Sequence, residues 1–214
     1  MKIGYIGHSC FLLETNAGTR ILTDPFDGIG WQMPRVRADY VCCTHGHFDH
    51  SYLAGAEGCR AVVSSAGRHV CGDAEIYGIP SFHDDARGAK RGGNIIYRIC
   101  ADGVSVCHMG DIGHAPARDL LAAIGSPDIL LIPVGGTYTI DAAGALGYVR
   151  ALRPKITVPM HYKTEDCTLD IAPVSGFTAL CGNENCMEAD GIDTDDMAKY
   201  CGKTLILRRK TDGR

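Results

Sequence analysis

Tyr40-Val41-Cys42-Cys43-Thr44-His45-Gly46-His47-Phe48-Asp49-His50 is the stretch on which the reading of this chain turns. An apolar run leads directly into four side chains that can bind a metal, all within the six residues 45–50. Imidazoles and a carboxylate together suit zinc, manganese or iron. In an extended backbone alternate side chains point the same way, so His45 and His47 face one direction. Asp49 and His50 follow where the chain must turn, and can face a second ion from the other side. H-x-H-x-D-H after a buried strand is too dense and ordered for a polar loop that is rich in histidine by chance. The segment reads as a metal-binding loop at the end of a strand.

Further candidates lie on either side. Asp24 ends the run Ile21-Leu22-Thr23-Asp24-Pro25, and His83 stands in Ser81-Phe82-His83-Asp84. Asp111 closes His108-Met109-Gly110-Asp111, and His161 follows Val158-Pro159-Met160. In this order, from residue 24 to residue 161, the five elements resemble the metal-binding signature of the metallo-β-lactamase superfamily. Gly7-His8-Ser9-Cys10-Phe11, Gly113-His114 and Pro133-Val134-Gly135-Gly136-Thr137-Tyr138-Thr139 resemble its small-hydrolase branch. That branch includes L-ascorbate-6-phosphate lactonase and N-acyl-phosphatidylethanolamine phospholipase D.

The resemblance implies that His45, His47 and His83 hold one ion, Asp49, His50 and His161 a second, and that Asp111 bridges them. His108 is the rival of His83 as the third ligand of the first ion. Two divalent ions about 3.5–4 Å apart share a water and lower its pKa towards neutrality. Zinc comes first as their identity, with manganese, nickel or iron as alternatives. The bridging hydroxide would attack a carbonyl carbon or a phosphorus, so no protein nucleophile is needed, and no G-x-S-x-G is present. Asp49 and Asp111 are thereby catalytic as well as ligating. Asp24 would accept a hydrogen bond from a ligating imidazole or from the loop backbone. His114, and less strongly His8, could pass a proton to the leaving group. His69 lies outside every motif.

The implied activity is hydrolysis of a small, anionic lactone, ester or phosphodiester. Arg87, Lys90 and Arg91 after His83, and Lys163 after His161, would favour such an anion if they surround the mouth. A solvated basic loop is the equal alternative. Trp31 and Met33 could form a lid or simply pack. An iron redox protein of the flavodiiron kind would carry Glu where His47 stands, and a non-catalytic metal-binding module would show a degraded site.

The 214 residues carry a formal net charge of −4 with histidine neutral, which disfavours nucleic acid as a partner. The longest apolar run, Ile129 to Val134, is too short to span a bilayer. The start of the sequence runs straight into strand-like residues and suggests no signal peptide. Eleven cysteines without a C-x-x-C pair argue for reduced thiols that behave as small hydrophobes, and so for a cytoplasmic location. A homo-oligomer formed through sheet edges or added loops is compatible with the sequence.

Residues 1–214 are expected to form one domain. Strands are expected at residues 2–6, 10–14, 20–23, 40–44, 61–64 and 74–80, with a hairpin of 94–100 and 104–108 around Ala101-Asp102-Gly103. Helices at 116–124, with Pro116 in the first turn, and at 141–152, capped by Asp141, alternate with strands at 129–134 and 155–159. Residues 165–202 read as an acidic loop and 203–209 as a closing strand. The fold class is therefore α/β, two sheets with helices on their outer faces. The resemblance sharpens this to a four-layer αββα sandwich with the metal site at the sheet edge.

Overall fold

The computed structural model describes residues 1–210. Its strands, in chain order, are Lys2–Gly7 (β1), Cys10–Glu14 (β2), Arg20–Thr23 (β3), Val36–Arg37 (β4), Tyr40–Cys42 (β5), Ala56–Glu57 (β6), Ala61–Val63 (β7) and Gly67–Cys71 (β8). They continue with Ala74–Phe82 (β9), Gly93–Ala101 (β10), Val104–His108 (β11), Ile129–Pro133 (β12), Ile156–Met160 (β13), Cys186–Ala189 (β14), Ile192–Asp193 (β15) and Lys203–Leu207 (β16). The α-helices are Arg118–Ile124 (α1), Ala142–Leu152 (α2) and Ser175–Cys181 (α3). One sheet has the order β15-β1-β2-β3-β5-β7, and the other β14-β16-β13-β12-β11-β10-β9-β8.

Strand alternation divides the apolar residues into layers. Phe11 and Leu13 of β2, Tyr97 and Ile99 of β10, Ile129 and Leu131 of β12, and Ile156 and Val158 of β13 fill the space between the sheets. Their alternates Cys107, Leu130 and Ile132 face outward and are covered by Ile124 of α1, Tyr148 and Leu152 of α2, and Phe177 of α3. Such two-sided burial is why β12 and β13 read as continuous apolar runs. Tyr97 also ties the sheets together, its hydroxyl lying 3.0 Å from both the Cys43 and the Val63 carbonyl oxygens.

The expected sandwich is present, but its outer layers differ in kind. All three α-helices contribute to the cluster on the outer face of the second sheet. Over the first sheet, Phe26, Ile29, Met33, Val36 and Ala38 of an irregular segment pack on Cys10, Leu12, Leu22 and Val41. Met33 is thus a packing residue, and the Trp31 ring packs against Phe26 at 5.2 Å and beneath the Arg209 guanidinium at 4.6 Å. Four local departures from expectation have local causes. Helix α1 starts at Arg118, with Ala117 rather than a capping side chain before it. Strand β8 is an exposed edge, so its residues Gly67-Arg68-His69-Val70 carry no apolar alternation. Strand β9 runs two residues beyond Pro80, to Phe82. The supposed acidic loop holds α3, β14 and β15, short elements with few buried side chains.

The hairpin turn is as expected, with Asp102 at φ 52° and Gly103 at φ 73°, the two left-handed positions that a tight hairpin needs. The Asp141 side chain accepts the Gly144 N–H at 2.8 Å and caps α2. Asp141→Ala should lower stability by about 1 kcal/mol. It should appear as a lower denaturation midpoint with an unchanged slope.

Candidate metal centre

Strands β1, β3 and β5 run in one direction in the first sheet, as do β9, β11, β12 and β13 in the second. Their C-terminal ends deliver His8, Asp24, the 45–50 loop, His83, Asp111 and His161 to one place. Three of these, His8, Asp24 and His161, are non-glycine residues with left-handed backbones, at φ 55°, 40° and 52°. Such conformations cost about 1–3 kcal/mol each and persist where the surroundings over-determine them.

Asp24 is fully buried and organises the metal loop. Its Oδ1 accepts the Thr44 N–H at 2.8 Å, and its Oδ2 accepts the Thr44 hydroxyl at 2.7 Å and His50 Nδ1–H at 2.8 Å. Both expected partners, a ligating-type imidazole and the loop backbone, are therefore engaged by one carboxylate. The Thr44 hydroxyl in turn accepts His45 Nδ1–H at 3.0 Å. Fixing both Nδ1 atoms leaves the Nε2 atoms of His45 and His50 to face inward. Asp111 is set by Asn94, whose Oδ1 accepts the Asp111 N–H at 2.9 Å. Gly110, at φ 54°, permits this, because a Cβ there would lie 2.3 Å from Asn94 Oδ1.

Around Asp111 Oδ2 lie His83 Nε2 at 3.1 Å, His50 and His161 Nε2 at 3.3 Å, and His45 Nε2 at 3.9 Å. Ligand-type atoms of His45, His47 and His83 form one group within 4.8 Å of one another, and those of His8, Asp49, His50 and His161 another. The seven expected ligand residues are brought together, with His8 beside them. His108 is occupied elsewhere: Nε2–H donates to the Ser9 carbonyl at 2.7 Å, and Nδ1 accepts the Gly110 N–H at 3.2 Å. His114 also stands apart, its Nδ1 lying 3.0 Å from the Ala115 carbonyl and its ring 6.1 Å from Phe82. The proton-donor role read for His114 thus lacks geometric support, since the ring is neither in the cluster nor on the cavity wall. His69 lies on the edge strand β8, with Nε2 at 3.0 Å from the Ser65 carbonyl.

A metal fits these residues. His45, His50 and His161 Nε2 and Asp111 Oδ1 are buried without a hydrogen-bond partner among the described residues. Buried polar atoms left bare in this number call for a cation. Burial, aided by the charge of His50, lowers the His45 pKa to about 3, so the ring is neutral and ready to ligate. Burial opposes the charged form of His50 as well, yet Asp111 and Asp24 outweigh it and raise its pKa well above the ordinary value.

A cavity of about 310 Å³ opens over the cluster. His47, Asp49, His83 and Asp111 contribute to it, together with Phe48, Arg91, Tyr138 and Leu169. Of the basic residues after the expected ligands, only Arg91 reaches this wall. Its Nη2 donates to the Thr137 carbonyl at 3.0 Å, and its guanidinium lies 5.7 Å from the Tyr138 ring centroid. Buried Asp84 holds the Arg91 loop by accepting the N–H groups of Ala86, Gly88, Lys90 and Arg91 at 2.7–2.9 Å. Lys90 pairs with Asp85, and Lys163 donates to the Leu169 carbonyl at 2.6 Å. Trp31 and Met33 do not border this cavity, and Trp31 lines a separate one with His8 and Arg209.

An α/β sandwich with a histidine–aspartate cluster at its strand ends defines a metal-binding hydrolase scaffold, and comparison with known proteins agrees. Residues 2–161 match the profile of the β-lactamase superfamily domain. A metal-dependent hydrolase of the UPF0173 group from Archaeoglobus fulgidus is 32% identical over 197 residues, covering 77% of this chain and 84% of the relative. A crystal structure from Thermotoga maritima, named provisionally as a Zn-dependent hydrolase of the metallo-β-lactamase superfamily, superposes with a TM-score of 0.79 at 32% identity. It covers 98% of this chain and 99% of that one. Igni18, a metallo hydrolase from Ignicoccus hospitalis, shares the fold at TM-score 0.65 and 22% identity, covering 97% and 94% of the two chains. The chain belongs to the metallo-β-lactamase superfamily, among its metal-dependent hydrolases. Among the described residues no helix is long and apolar enough to cross a membrane.

Two contributors carry no such signal in the sequence. Asn94 sits in an ordinary strand run, and Asp84 is only the neighbour of His83. His8, read above as a weaker proton-donor candidate than His114, lies beside Asp49.

An ion at His50 Nε2 must displace a proton, because Asp111 and Asp24 favour the protonated ring. Zinc uptake near pH 7 should therefore release about one proton per chain. Affinity should weaken as pH falls below the raised His50 value, because protons then compete for Nε2. Calorimetry of zinc binding in buffers of different ionisation enthalpy counts these protons, and release of none would remove His50 from the ligand set.

Proposed function

We propose that this protein is a dinuclear metal-dependent hydrolase acting on a small, anionic lactone, ester or phosphodiester. The observation that carries this reading is the convergence of His45, His47, His83, Asp49, His50 and His161 on Asp111, with inward-facing nitrogens left bare. His45, His47 and His83 would hold one divalent ion, Asp49, His50 and His161 the other, and Asp111 both. Zinc suits this donor set first, with manganese, nickel or iron as alternatives. When bound, two such ions supply a hydroxide nucleophile at neutral pH and a Lewis acid for the developing negative charge.

The protein's own residues supply position and selection. Asp24 and Thr44 orient His50 and His45, so the ligands are preorganised before a substrate arrives. Phe48 and Leu169 give the cavity apolar walls that take the uncharged part of a substrate. Arg91 offers a charge at the rim, held in place by Thr137, Tyr138 and the Asp84-bound loop. A carboxylate or phosphate on the substrate would meet it and bring the scissile group over Asp111.

Mass spectrometry of protein purified without tag or chelator should find about two equivalents of divalent metal. Asp111→Ala should lose most of it and abolish hydrolysis of lactone and phosphodiester probes. Metal content unaffected by Asp111→Ala would end the bridging assignment, and iron without hydrolysis would end the hydrolase reading. Arg91→Ala should raise KM for an anionic probe about 10- to 100-fold, the equivalent of one charged hydrogen bond. KM for a neutral ester of similar size should stay close to the parent value.

A further inference from the structure

His8 belongs to neither of the two ligand sets proposed above, yet its ring lies within one of the groups of ligand-type atoms. It follows the last residue of β1, where Gly7 at φ 138° and His8 at φ 55° turn the chain out of the pairing with β2. Only glycine suits position 7, because a Cβ there would lie 2.9 Å from the Trp31 ring. His8 is 2% exposed. Its ring centroid is 4.2 Å from that of His161 and 5.3 Å from that of His50. Its Nε2 lies 3.2 Å from Asp49 Oδ2, and that oxygen is 3.6 Å from His50 Nε2.

The backbone of the same residue reaches the opposite sheet. The His8 carbonyl accepts the N–H of His161 at 2.9 Å, and the Tyr5 hydroxyl at 3.1 Å. One residue therefore touches two of the four side-chain ligands proposed for the second ion, Asp49 through its ring and His161 through its carbonyl. Such a joint between the sheets controls the spacing of that ion's donors.

Two roles suit an imidazole here. As a further ligand it would present a bare Nε2, as His45, His50 and His161 do, but unlike theirs its Nε2 already has a hydrogen-bond partner, Asp49 Oδ2. As a donor, Nε2–H satisfies the otherwise exposed charge of Asp49 Oδ2 and holds the carboxylate at one angle. We infer that His8 is a positioning residue, which donates Nε2–H to Asp49 and so sets the affinity of the Asp49–His50–His161 ion without ligating it. The inference rests on the dinuclear reading above for the identity of that ion.

The test is a pair of variants, His8→Gln and His8→Ala, with Zn²⁺ affinities measured by chelator competition. Glutamine places an amide N–H where Nε2 stands but is a poor zinc ligand. His8→Ala should weaken one ion by about 10–100-fold, the usual effect of removing a ligand's hydrogen-bond partner, and leave any other ion near its parent affinity. His8→Gln should restore that ion to within a few-fold of the parent. Equal losses in both variants would make His8 a ligand and overturn the inference. Full affinity in His8→Ala would overturn it as well, and a uniform loss across ions with a lowered metal-free melting temperature would reduce His8 to a fold residue. The count of ions in the parent protein tests the dinuclear reading separately, because the His8 result is read from the difference between glutamine and alanine.

Discussion

A carboxylate with no access to solvent, Asp24, is the constraint on which the rest of the centre depends. Burying an ionised carboxylate is costly unless strong donors surround it. Burial pushes the Asp24 pKa up, but His50 holds it below the ordinary value, so the group remains charged. Its donors are Thr44, through backbone and hydroxyl, and His50. These residues bracket the metal loop, so the charge of Asp24 is satisfied only when that loop closes back on the end of β3. The donated hydrogen bonds then dictate which nitrogen of His45 and of His50 remains for a metal. Fold and coordination thus meet in a single side chain.

The same logic spreads along the strand ends. At three of these strand ends the chain turns sharply, His8, Asp24 and His161 having left-handed backbones. Each is anchored on both sides: His8 and His161 by a shared backbone hydrogen bond, Asp24 by its N–H to the Cys42 carbonyl at 2.8 Å. Because β1 and β13 belong to different sheets, the site spans the open edge of the sandwich rather than one loop. The inter-sheet core, with Phe11, Leu13, Tyr97 and Val158 among its members, keeps those edges in register. Loosening of that core would therefore separate the two halves of the donor set.

Much of this was legible in the sequence, for a physical reason. Candidate metal ligands at strand ends come with the strand before them, so an apolar run and a dense polar cluster reinforce each other, as at residues 40–50. Asp111 and His161 were legible in the same way, each preceded by a buried strand. What escaped reading lacked such pairing. Strand β8 and the elements between residues 175 and 193 are short and largely exposed at the margins of the sheets, so their sequences carry no period. The coil that covers the first sheet uses isolated apolar residues, such as Ile29 and Met33, at no regular spacing. His8 and His108 illustrate the limit for single residues. Both are buried histidines at the end of a strand, and only the partners of their ring nitrogens separate one beside the metal ligands from one that ties Ser9 to Gly110.

The metal loop also carries the wall of the cavity. Phe48 lies between His47 and Asp49, which are proposed ligands of different ions, and its ring is 58% exposed. Its ring lies against Gly28 on one side and forms an apolar part of the cavity wall on the other. Its backbone cannot shift freely, since its carbonyl accepts the Asp27 N–H at 3.3 Å. Arg91 on the opposite rim is placed by the loop that starts at His83, another ligand-type residue. Phe48 is therefore a covalent neighbour of two proposed metal donors, and Arg91 is held in the loop that begins at a third. A change of cavity lining at Phe48 therefore falls to the side chain, because moving its backbone would move His47 and Asp49 with it.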